Sequence, residues 1–361
     1  MADHGVLPHG VSPDTTSVRL KYSRTHLTLG AEKIFDVAAS NFPGHWPCED
    51  HSWDLKRFKD NLKVKISRLS ESSIEFDLVG VDASIANALR RLMIAEVPSV
   101  AIEDVFIWNN TSLVHDEVLA QRLGLVPLRI DPRLLDMKGE DGATDLNTLV
   151  FKLVAHCRRN PNFSKSETDP LRAYVNSHIT SGMIEWEPKG NQPEMFKDNP
   201  PRPVQDDILL VKMRPGQEIR AEMHCLKGIG KDHAKFSPVA TASYRLLPHI
   251  LIHETIPEKD CLKFQKCFAP GVIDTVKDPK TGRLTCVVKS PRKDTVSREV
   301  LRHPEFEGKV TLGRVRDHFI FNVESTGVYA PEEIPLEACQ VLLQKIRTVR
   351  TSLKLHTEKQ S

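Results

Sequence analysis

The clearest pattern of apolar and polar positions lies between residues 82 and 97, where apolar residues recur every three or four positions. Side chains at this spacing share one face of an α-helix. They are Ile85, Ala88, Leu89, Leu92 and Met93. Asp82 can cap the first turn, and Pro98 disfavours the helical conformation for the residue before it. The pattern therefore predicts a helix of about four turns with one apolar stripe.

Two adjacent arginines, Arg90 and Arg91, stand beside this stripe. Their planar guanidinium groups can bind carboxylates through two parallel hydrogen bonds. Two interpretations are open at this point. The helix either packs only on its own domain, with solvated arginines, or also contacts a partner. Periodicity alone favours the first interpretation, because most such stripes serve the core of their own domain.

Strict alternation of apolar and polar residues precedes the helix at 62–66 and resumes at 74–78 after a turn of Ser and Glu. This pattern predicts a β-hairpin with one buried face. Further strands are predicted at 149–157, 179–186, 208–213, 218–225 and 317–324. Helices are predicted at 116–123 and 258–268, and the turn residues at 278–282 indicate a second hairpin.

A second amphipathic helix is predicted near the C-terminus, where Pro335 suits a first helical turn. Its apolar stripe consists of Cys339, Leu342, Leu343, Ile346, Val349 and Leu353. A helix with this much apolar surface needs another element or another chain to cover it.

The bulk composition excludes several classes of function. A length of 361 residues is typical of two or three domains. Lys and Arg number 50 against 48 Asp and Glu, so no global basic field drives binding to nucleic acid. The seven cysteines form no Cys-x-x-Cys pair, which indicates reduced, intracellular usage. Neither an apolar signal region nor a run of about 18 apolar residues is present.

Residues 228–231, Gly-Ile-Gly-Lys, resemble part of a phosphate-binding loop. That motif also needs a glycine five positions before its Gly-Lys pair and Ser or Thr after the lysine. Cys225 and Asp232 occupy those positions. A basic loop that contacts a neighbouring protein is the favoured interpretation, and a stand-alone enzyme that binds an anionic ligand here is the alternative.

Other candidate chemistry is weak. His224, Cys225 and His233 match no common zinc spacing, and no catalytic motif occurs. We therefore predict no metal and no cofactor. The basic run at 289–302 contains Ser-Pro-Arg-Lys from Ser290. A solvated surface is the ordinary interpretation of that run, and an interface, a phosphorylation site or a direct nucleic-acid contact is the alternative.

Three stretches resemble one known family. Residues 85–92, Ile-Ala-Asn-Ala-Leu-Arg-Arg-Leu, look like the α motif of assembly subunits of DNA-dependent RNA polymerases, which include bacterial α, archaeal D and the eukaryotic α-like subunits. Residues 317–327, followed by Pro-Glu-Glu at 331–333, resemble the final strand and helix of the same domain. Residues 228–248 are similar to the larger α-like branch that is shared by eukaryotic polymerases I and III.

The polymerase II branch typically carries a zinc-binding cysteine cluster in its intervening domain. Residues 100–224 of this chain contain only Cys157. The cysteines of the iron-sulphur domain that some archaeal D subunits carry are missing as well. The resemblance covers about residues 60–355.

The resemblance implies an α+β fold with a discontinuous dimerisation domain of the RNA polymerase α type, residues 61–97 and 226–355. An inserted mixed α/β domain is expected at 98–225. An N-terminal arm at 1–60, with the aromatic residues Phe42, Trp46 and Trp53 lying along a surface, and a tail at 356–361 complete the predicted organisation.

The resemblance also implies a function and partners. The chain would be a non-catalytic assembly subunit that pairs with a small α-like subunit and nucleates assembly of the two largest subunits, in polymerases that make rRNA, 5S rRNA and tRNA. Small zinc-bearing assembly subunits are further expected partners. DNA would be contacted only through the complex, and the expected location is the nucleus, including the nucleolus. The alternative is the equivalent subunit of a polymerase II-type or archaeal enzyme.

Site residues follow from the same resemblance. Arg91 would reach the second-largest subunit, with Arg90 beside it. The loop residues expected to contact another subunit are Lys231, His233, Lys235 and Phe236. The core and heterodimer contacts would be Ile85, Ala88, Leu89, Leu92, Met93, Leu342, Leu343, Ile346 and Val349.

Overall fold

The computed structural model describes residues 22–37, 45, 48–140, 142–163, 169–277 and 282–360. Much of the predicted N-terminal arm, with Phe42 and Trp46, lies outside the described residues, as do most of the predicted turn at 278–282 and Ser361 of the predicted tail. The chain divides into two compact units. The first contains 1–66, 76–86 and 244–321, and the second contains 67–75, 87–243 and 322–361.

The structure contains both helices and sheets, in agreement with the predicted α+β class. The helices are α1 (Leu55–Asn61), α2 (Ala83–Ala95), α3 (Asp116–Gly124), α4 (Pro170–Ala173), α5 (Gln192–Met195), α6 (Glu258–Lys266) and α7 (Glu333–Gln360). The strands of the N-terminal half are β1 (His26–Leu29), β2 (Ile34–Phe35), β3 (Lys63–Leu69), β4 (Ser73–Val79), β5 (Pro98–Asn110), β6 (Leu128–Arg129), β7 (Thr148–His156), β8 (Arg158–Arg159) and β9 (Tyr174–Val175). Those that follow are β10 (His178–Thr180), β11 (Glu185–Glu187), β12 (Arg202–Pro203), β13 (Leu209–Lys212), β14 (Glu218–Ile229), β15 (Val239–Ile252), β16 (Ile273–Lys277), β17 (Leu284–Val288) and β18 (Val310–Ser325).

The first unit is built on a sheet with the strand order β2-β1-β18-β4-β3, in which β15 also pairs with β18. β1 runs antiparallel to β18, with His26 opposite Val315 and Leu29 opposite Leu312. The rings of Phe76 and Phe321 stack with centroids 4.9 Å apart. Aromatic pairs of this kind favour offset or edge contacts and add to the energy of burial.

The predicted hairpin forms, but only one of its strands has a buried face. In β4 the side chains of Phe76 and Leu78 are buried. Every residue of β3 is exposed, including Val64 and Ile66. The prediction of a buried face is therefore wrong for β3. Alternation of apolar and polar residues indicates that the two faces of a strand differ in polarity. It does not indicate whether another element packs on the apolar face.

A second layer of the first unit consists of α6 and the hairpin of β16 and β17. Its apolar residues form one cluster in which Phe264 contacts Phe268 and Phe306, with centroids 5.2 and 5.1 Å apart. Cys261 is buried in the same cluster. The remaining buried members include Leu29, Ile250, Ile256, Cys267, Val272, Ile273, Val300, Val310 and Leu312.

The second unit is built on a sheet with the order β11-β7-β14-β5. The central strand β14 is antiparallel to both neighbours, and α3 lies on the sheet with Leu119 and Leu123 fully buried. The cluster they join includes Val100, Ile102, Val126, Leu128, Ile130, Leu149, Phe151, Leu153, Ile179, Leu210, Ile219 and Met223.

A buried carboxylate ties distant segments of the first unit together. Asp77 on β4 accepts hydrogen bonds from Arg292 Nη1, at 2.5 and 2.7 Å, and its Oδ2 lies 3.0 Å from Nε2 of His318 on β18. Burial by itself would raise the pKa of Asp77. The hydrogen bonds from Arg292 and His318 outweigh this effect and hold the pKa below its usual value.

We expect Arg292→Ala to lower the free energy of unfolding by about 2 kcal/mol, because it removes the charged donor of a buried carboxylate. Arg302→Ala is the matched control. Its guanidinium pairs with Glu299 but is 76% exposed, and exposed pairs contribute at most about 1 kcal/mol. Urea unfolding of the two variants measures the difference. Equal losses would contradict this role of Arg292.

The stability of the first unit is expected to fall in acid. His26 stacks on Tyr22 and faces His249, with ring centroids 4.4 and 4.5 Å away. Desolvation, followed by the charge of His249, lowers the pKa of His26 to about 4. The unfolded chain therefore binds more protons than the folded chain between this value and the ordinary pKa of about 6.5. Stability is lost as the pH falls through that window.

Unfolding midpoints at pH 7 and pH 5 test this prediction. His26→Phe retains a ring for the stack but cannot be protonated, so its midpoint should fall less than that of the native chain. The same pH dependence in both proteins would contradict the assignment to His26.

Candidate protein–protein interface

The helix α2 begins as its sequence predicts. Oδ1 of Asp82 accepts a hydrogen bond from the backbone N–H of Ser84 at 2.8 Å, which satisfies one of the N–H groups that a helix start leaves unpaired. Hydrogen bonds from Ser84 lower the pKa of Asp82. The helix ends at Ala95, and the chain enters β5 at Pro98.

The apolar stripe of α2 divides into a buried part and a partly open part. Leu92 and Met93 are buried within the chain. Ile85, Ala88 and Leu89 remain half-buried. The first pair therefore belongs to the core of the chain, and the other three retain surface that a second chain could cover.

The two arginines of α2 have different surroundings. The Arg90 guanidinium donates from Nη2 and Nε to Oδ1 of Asn87 at 2.9 and 3.2 Å. Arg91 is exposed. Within the part of the chain that the structure describes, no hydrogen bond or ion pair engages Arg91. Its five donors are thus available to another molecule.

Polar contacts join the first turns of α7, and the residue Tyr329 before it, to other parts of the second unit. Arg133 donates to Glu333 and Glu337 on α7, at 3.3 Å in each case, and the hydroxyl of Tyr329 donates to the carbonyl of Pro98 at 3.0 Å. Burial raises the pKa of Tyr329. These contacts fix the direction in which α7 leaves the domain.

One further ion pair joins α7 directly to the end of α2. Nζ of Lys345 lies 2.6 Å from a carboxylate oxygen of Glu96. Both side chains retain solvent exposure, at 53% and 30%, so the pair contributes at most about 1 kcal/mol. Its geometric role is to keep α7 alongside the end of α2.

Beyond this point α7 exposes an apolar seam. Ile334 and Ala338 in its first turns are fully buried, and Leu342 is half-buried. The seam then consists of Leu343, Ile346, Val349 and Leu353, which are 46%, 54%, 59% and 61% exposed. Residues at spacings of three and four lie on one face of the helix, so these side chains form a continuous strip.

Cations border the seam. Ile346, Val349 and Leu353 lie on the same side of α7 as Lys345, Arg350 and Lys354. A strip of apolar residues with charges along its margins is the usual surface of helices that pair with another helix.

The loop that follows β14 packs against the end of α2. A Cβ added at Gly230 would lie 2.3 Å from the carbonyl oxygen of Ile94, so only glycine permits this approach. The N–H of Lys231 donates to the carbonyl of Ala95 at 2.8 Å. The glycines therefore serve close backbone packing.

β14 continues four residues further than predicted, and it includes Gly228 opposite Ser99 of β5. A Cβ at Gly228 would lie 2.8 Å from the ring of Phe236. The hydroxyl of Ser99 donates to the carbonyl of Phe236 at 2.7 Å. The sequence around Gly228 has the pattern of a flexible loop, but in the structure it forms a strand. The absence of a side chain at Gly228 leaves space for the ring of Phe236.

The four predicted contact residues of this loop do not share one surface. Lys235 lies 2.5 Å from Glu103 and donates to the carbonyl of Ile102 at 2.8 Å, and Phe236 is 5% exposed. Lys231 and His233 have exposed side chains. Only Lys231 and His233 are therefore placed to meet another chain.

The cysteines and acidic residues of the described chain do not assemble into a metal centre. Among the described residues, no group of three His, Cys, Asp or Glu side chains is placed to hold a metal ion. Cys225 is fully buried, and desolvation raises the pKa of its thiol, which disfavours the reactive thiolate. No helix among the described residues is long and apolar enough to cross a membrane.

Known proteins resemble the chain over most of its length. It is 49% identical over 318 residues, 87% of this chain and 94% of the relative, to DNA-directed RNA polymerases I and III subunit RPAC1 of Saccharomyces cerevisiae. The protein with the same description from Bos taurus is 48% identical over 324 residues, 89% of this chain and 93% of the relative. DNA-directed RNA polymerases II, IV and V subunit 3 of Arabidopsis thaliana is 34% identical over 310 residues, 80% of this chain and 91% of the relative.

A family profile gives the same result. The profile described as RNA polymerase Rpb3/Rpb11 dimerisation domain matches residues 75–346. This range begins on β4, includes α2 with its two arginines, and ends within the exposed seam of α7. On the sequence match and on the elements that it spans, the chain belongs to the family of the RNA polymerase Rpb3/Rpb11 dimerisation domain.

Proposed function

We propose that this chain is the larger α-like, non-catalytic assembly subunit of RNA polymerases I and III. The exposed apolar seam of α7, in a member of a dimerisation-domain family, is the observation that carries the proposal. Relatives described as subunits of polymerases I and III are 39–49% identical. Those of polymerases II, IV and V are 34% identical or less. The polymerase I and III assignment is favoured for this reason.

The assignment implies a place in the cell and a product. The subunit acts in the nucleus, with the polymerase I share in the nucleolus, and it supports synthesis of rRNA, 5S rRNA and tRNA. The catalytic metal belongs to the largest subunit, and DNA is contacted only through the complex.

The partner of the seam is the small α-like subunit. Burial of half a dozen apolar side chains contributes of order 10 kcal/mol before the cost of association. The residues that supply this burial are Ile85, Ala88 and Leu89 of α2 and Leu342, Leu343, Ile346 and Val349 of α7, with Leu92 and Met93 as the supporting core. A gain of this size favours a permanent heterodimer, whose interface commonly exceeds about 2,000 Å².

Arg91 reaches the second-largest, β-type subunit. Its exposure and lack of a partner among the described residues support this role, because a planar guanidinium can bind a carboxylate of another chain through two hydrogen bonds. Arg90 stands beside it and is held by Asn87. On this proposal the heterodimer forms first, and the large subunits join it afterwards through a contact that includes Arg91.

Lys231 and His233 form a second contact surface, for a small zinc-bearing assembly subunit or for one of the large subunits. Lys235 and Phe236 support this surface from within. On the same reading, residues 61–97 and 226–355 make one dimerisation domain and residues 98–225 an insert.

The competing functions find less support. For an enzyme that binds an anion at 228–231, Gly228 would have to belong to an open phosphate loop, and it lies in β14 beside Phe236. For a nucleic-acid module at 289–302, Arg292 would have to be available to phosphate, and it is bound to Asp77. Titration of the purified chain with nucleotide and with duplex DNA tests both alternatives.

Ile346→Asp should weaken the heterodimer by at least about 100-fold, because an unpaired carboxylate in an apolar seam costs several kcal/mol. Leu355→Asp is the matched control. Leu355 is 55% exposed on the same helix but lies nine residues from Ile346, on the opposite face. Co-purification of the small α-like subunit with each variant measures the effect. Equal recovery of the partner with both variants would contradict the interface.

Arg91→Ala should leave that heterodimer intact and lower recovery of the second-largest subunit about tenfold, as expected for loss of a charge-assisted contact. Arg158→Ala, which changes another exposed arginine, is the control and should recover every subunit. Quantitative mass spectrometry of the complexes purified through each variant measures both results. Loss of the small subunit with Arg91→Ala would refute the proposed order of contacts.

A further inference from the structure

The basic run after β17 presents a serine with an unusual setting. Lys289 and Ser290 both donate their backbone N–H groups to the carbonyl of Val272, at 2.8 and 3.2 Å. Ser290 is half-buried. Among the described residues its hydroxyl makes no hydrogen bond, although an unpaired hydroxyl usually finds a partner when protein surrounds it. The hydroxyl is therefore anchored in position and chemically available.

The residues around Ser290 form a positively charged surface. Lys289 and Lys293 are exposed, and Lys289 pairs with Asp274 at 2.8 Å. Arg245 donates to the backbone carbonyls of Arg292 and Asp294, at 2.8 and 3.3 Å. Arg292 follows two residues after the serine. A doubly negative group at the Ser290 oxygen would thus lie among several cations, which is the setting that stabilises phosphoserine.

The backbone beyond Ser290 has little regular structure and contains strain. Pro291–Lys293 is a single 3-10 turn, and Val296 and Arg298 have φ angles of +58° and +60°. The left-handed region is costly for a β-branched residue such as valine. Local opening of this segment requires release of Arg292 from Asp77, and the strain at Val296 and Arg298 offsets part of that cost.

We propose that Ser290 is a phosphorylation site for a proline-directed protein kinase that recognises Pro291 at the next position and Lys293 three positions on. In the transfer the Ser290 oxygen attacks the γ-phosphorus of magnesium-bound ATP. A new Oγ–P bond forms, the P–O bond to ADP breaks, the hydroxyl proton passes to the catalytic carboxylate of the kinase, and ADP leaves.

The phosphate acts on the buried carboxylate of the same unit. Arg292 follows Ser290 by two residues, and its guanidinium is bound to its present acceptor, Asp77, at 2.5 and 2.7 Å. A phosphate of charge about −1.5 to −2 competes with the single carboxylate of Asp77 for this guanidinium. Phosphorylation therefore weakens the contact between the 289–303 segment and β4.

The test uses the purified full-length chain, a proline-directed kinase and magnesium ATP, with intact mass and fragment mass spectra as the readout. We expect one phosphate at Ser290 and none there in Ser290→Ala. Lys293→Glu should slow the transfer by about tenfold or more, since it removes a charged contact. Ser237 is the internal control, because Pro238 follows it but Ala240 stands three positions on, and its hydroxyl already donates to the carbonyl of Val239 at 3.2 Å.

An unmodified Ser290, equal phosphate on Ser237, or an unchanged rate in Lys293→Glu would overturn the assignment. The effect on Asp77 has its own measurement. The phosphorylated chain should unfold at a lower urea concentration than the unmodified chain, and Asp77→Asn should abolish that difference. A difference that persists in Asp77→Asn, or no difference in the native chain, would overturn the competition for Arg292.

Discussion

The apolar seam on the outer part of α7 is the constraint from which the rest of the account follows. Four large side chains, Leu343, Ile346, Val349 and Leu353, are 46–61% exposed along one face of a 28-residue helix. Full burial of each contributes about 1.5–3 kcal/mol. Water is therefore a poor environment for this face, and a second helix with a complementary strip would be a favourable one.

These burial energies indicate that the seam of α7 alone does not supply enough apolar area for a permanent heterodimer. The four side chains are already about half buried, so covering the rest contributes roughly 3–6 kcal/mol on this side, which is at or below the estimated 4–15 kcal/mol cost of association. We propose that the open part of α2 at Ala88 and Leu89 supplies further apolar area for a permanent pairing. A seam formed by two helices needs a fixed angle between them. The ion pair of Lys345 with Glu96 is too exposed to stabilise the fold appreciably, but it helps to set that angle.

Local patterns in the sequence predicted the two helices well. The stripes of α2 and α7, the cap at Asp82 and the early proline of α7 all depend on residues within one or two turns. The same patterns failed where distant contacts decide the outcome. Gly228 has the appearance of a loop residue, yet it lies in a strand because Ser99, far away in the sequence, pairs with it.

Site residues show the same limit. The resemblance predicted Lys231, His233, Lys235 and Phe236 as one contact loop, but Lys235 is bound to Glu103 and Phe236 is buried. Likewise, the contact of Arg133 with Glu333 joins residues 200 positions apart. The sequence alone does not show whether Lys235 or Arg133 faces solvent, contacts a partner or pairs with a carboxylate of the same chain. Only the packing distinguishes these cases, and it leaves Arg91 exposed and Arg90 held by Asn87.

We propose that the exposed face of α7 meets the small α-like subunit in both polymerases. Site-specific photo-crosslinking in the native complexes tests it most directly, with a photoreactive residue at position 346 on the seam and, separately, at position 355 on the opposite face. We expect a crosslink from position 346 to the small α-like subunit in both polymerase I and polymerase III, and none to that subunit from position 355. A crosslink from position 346 to a large subunit, or the same small-subunit crosslink from both positions, would contradict it.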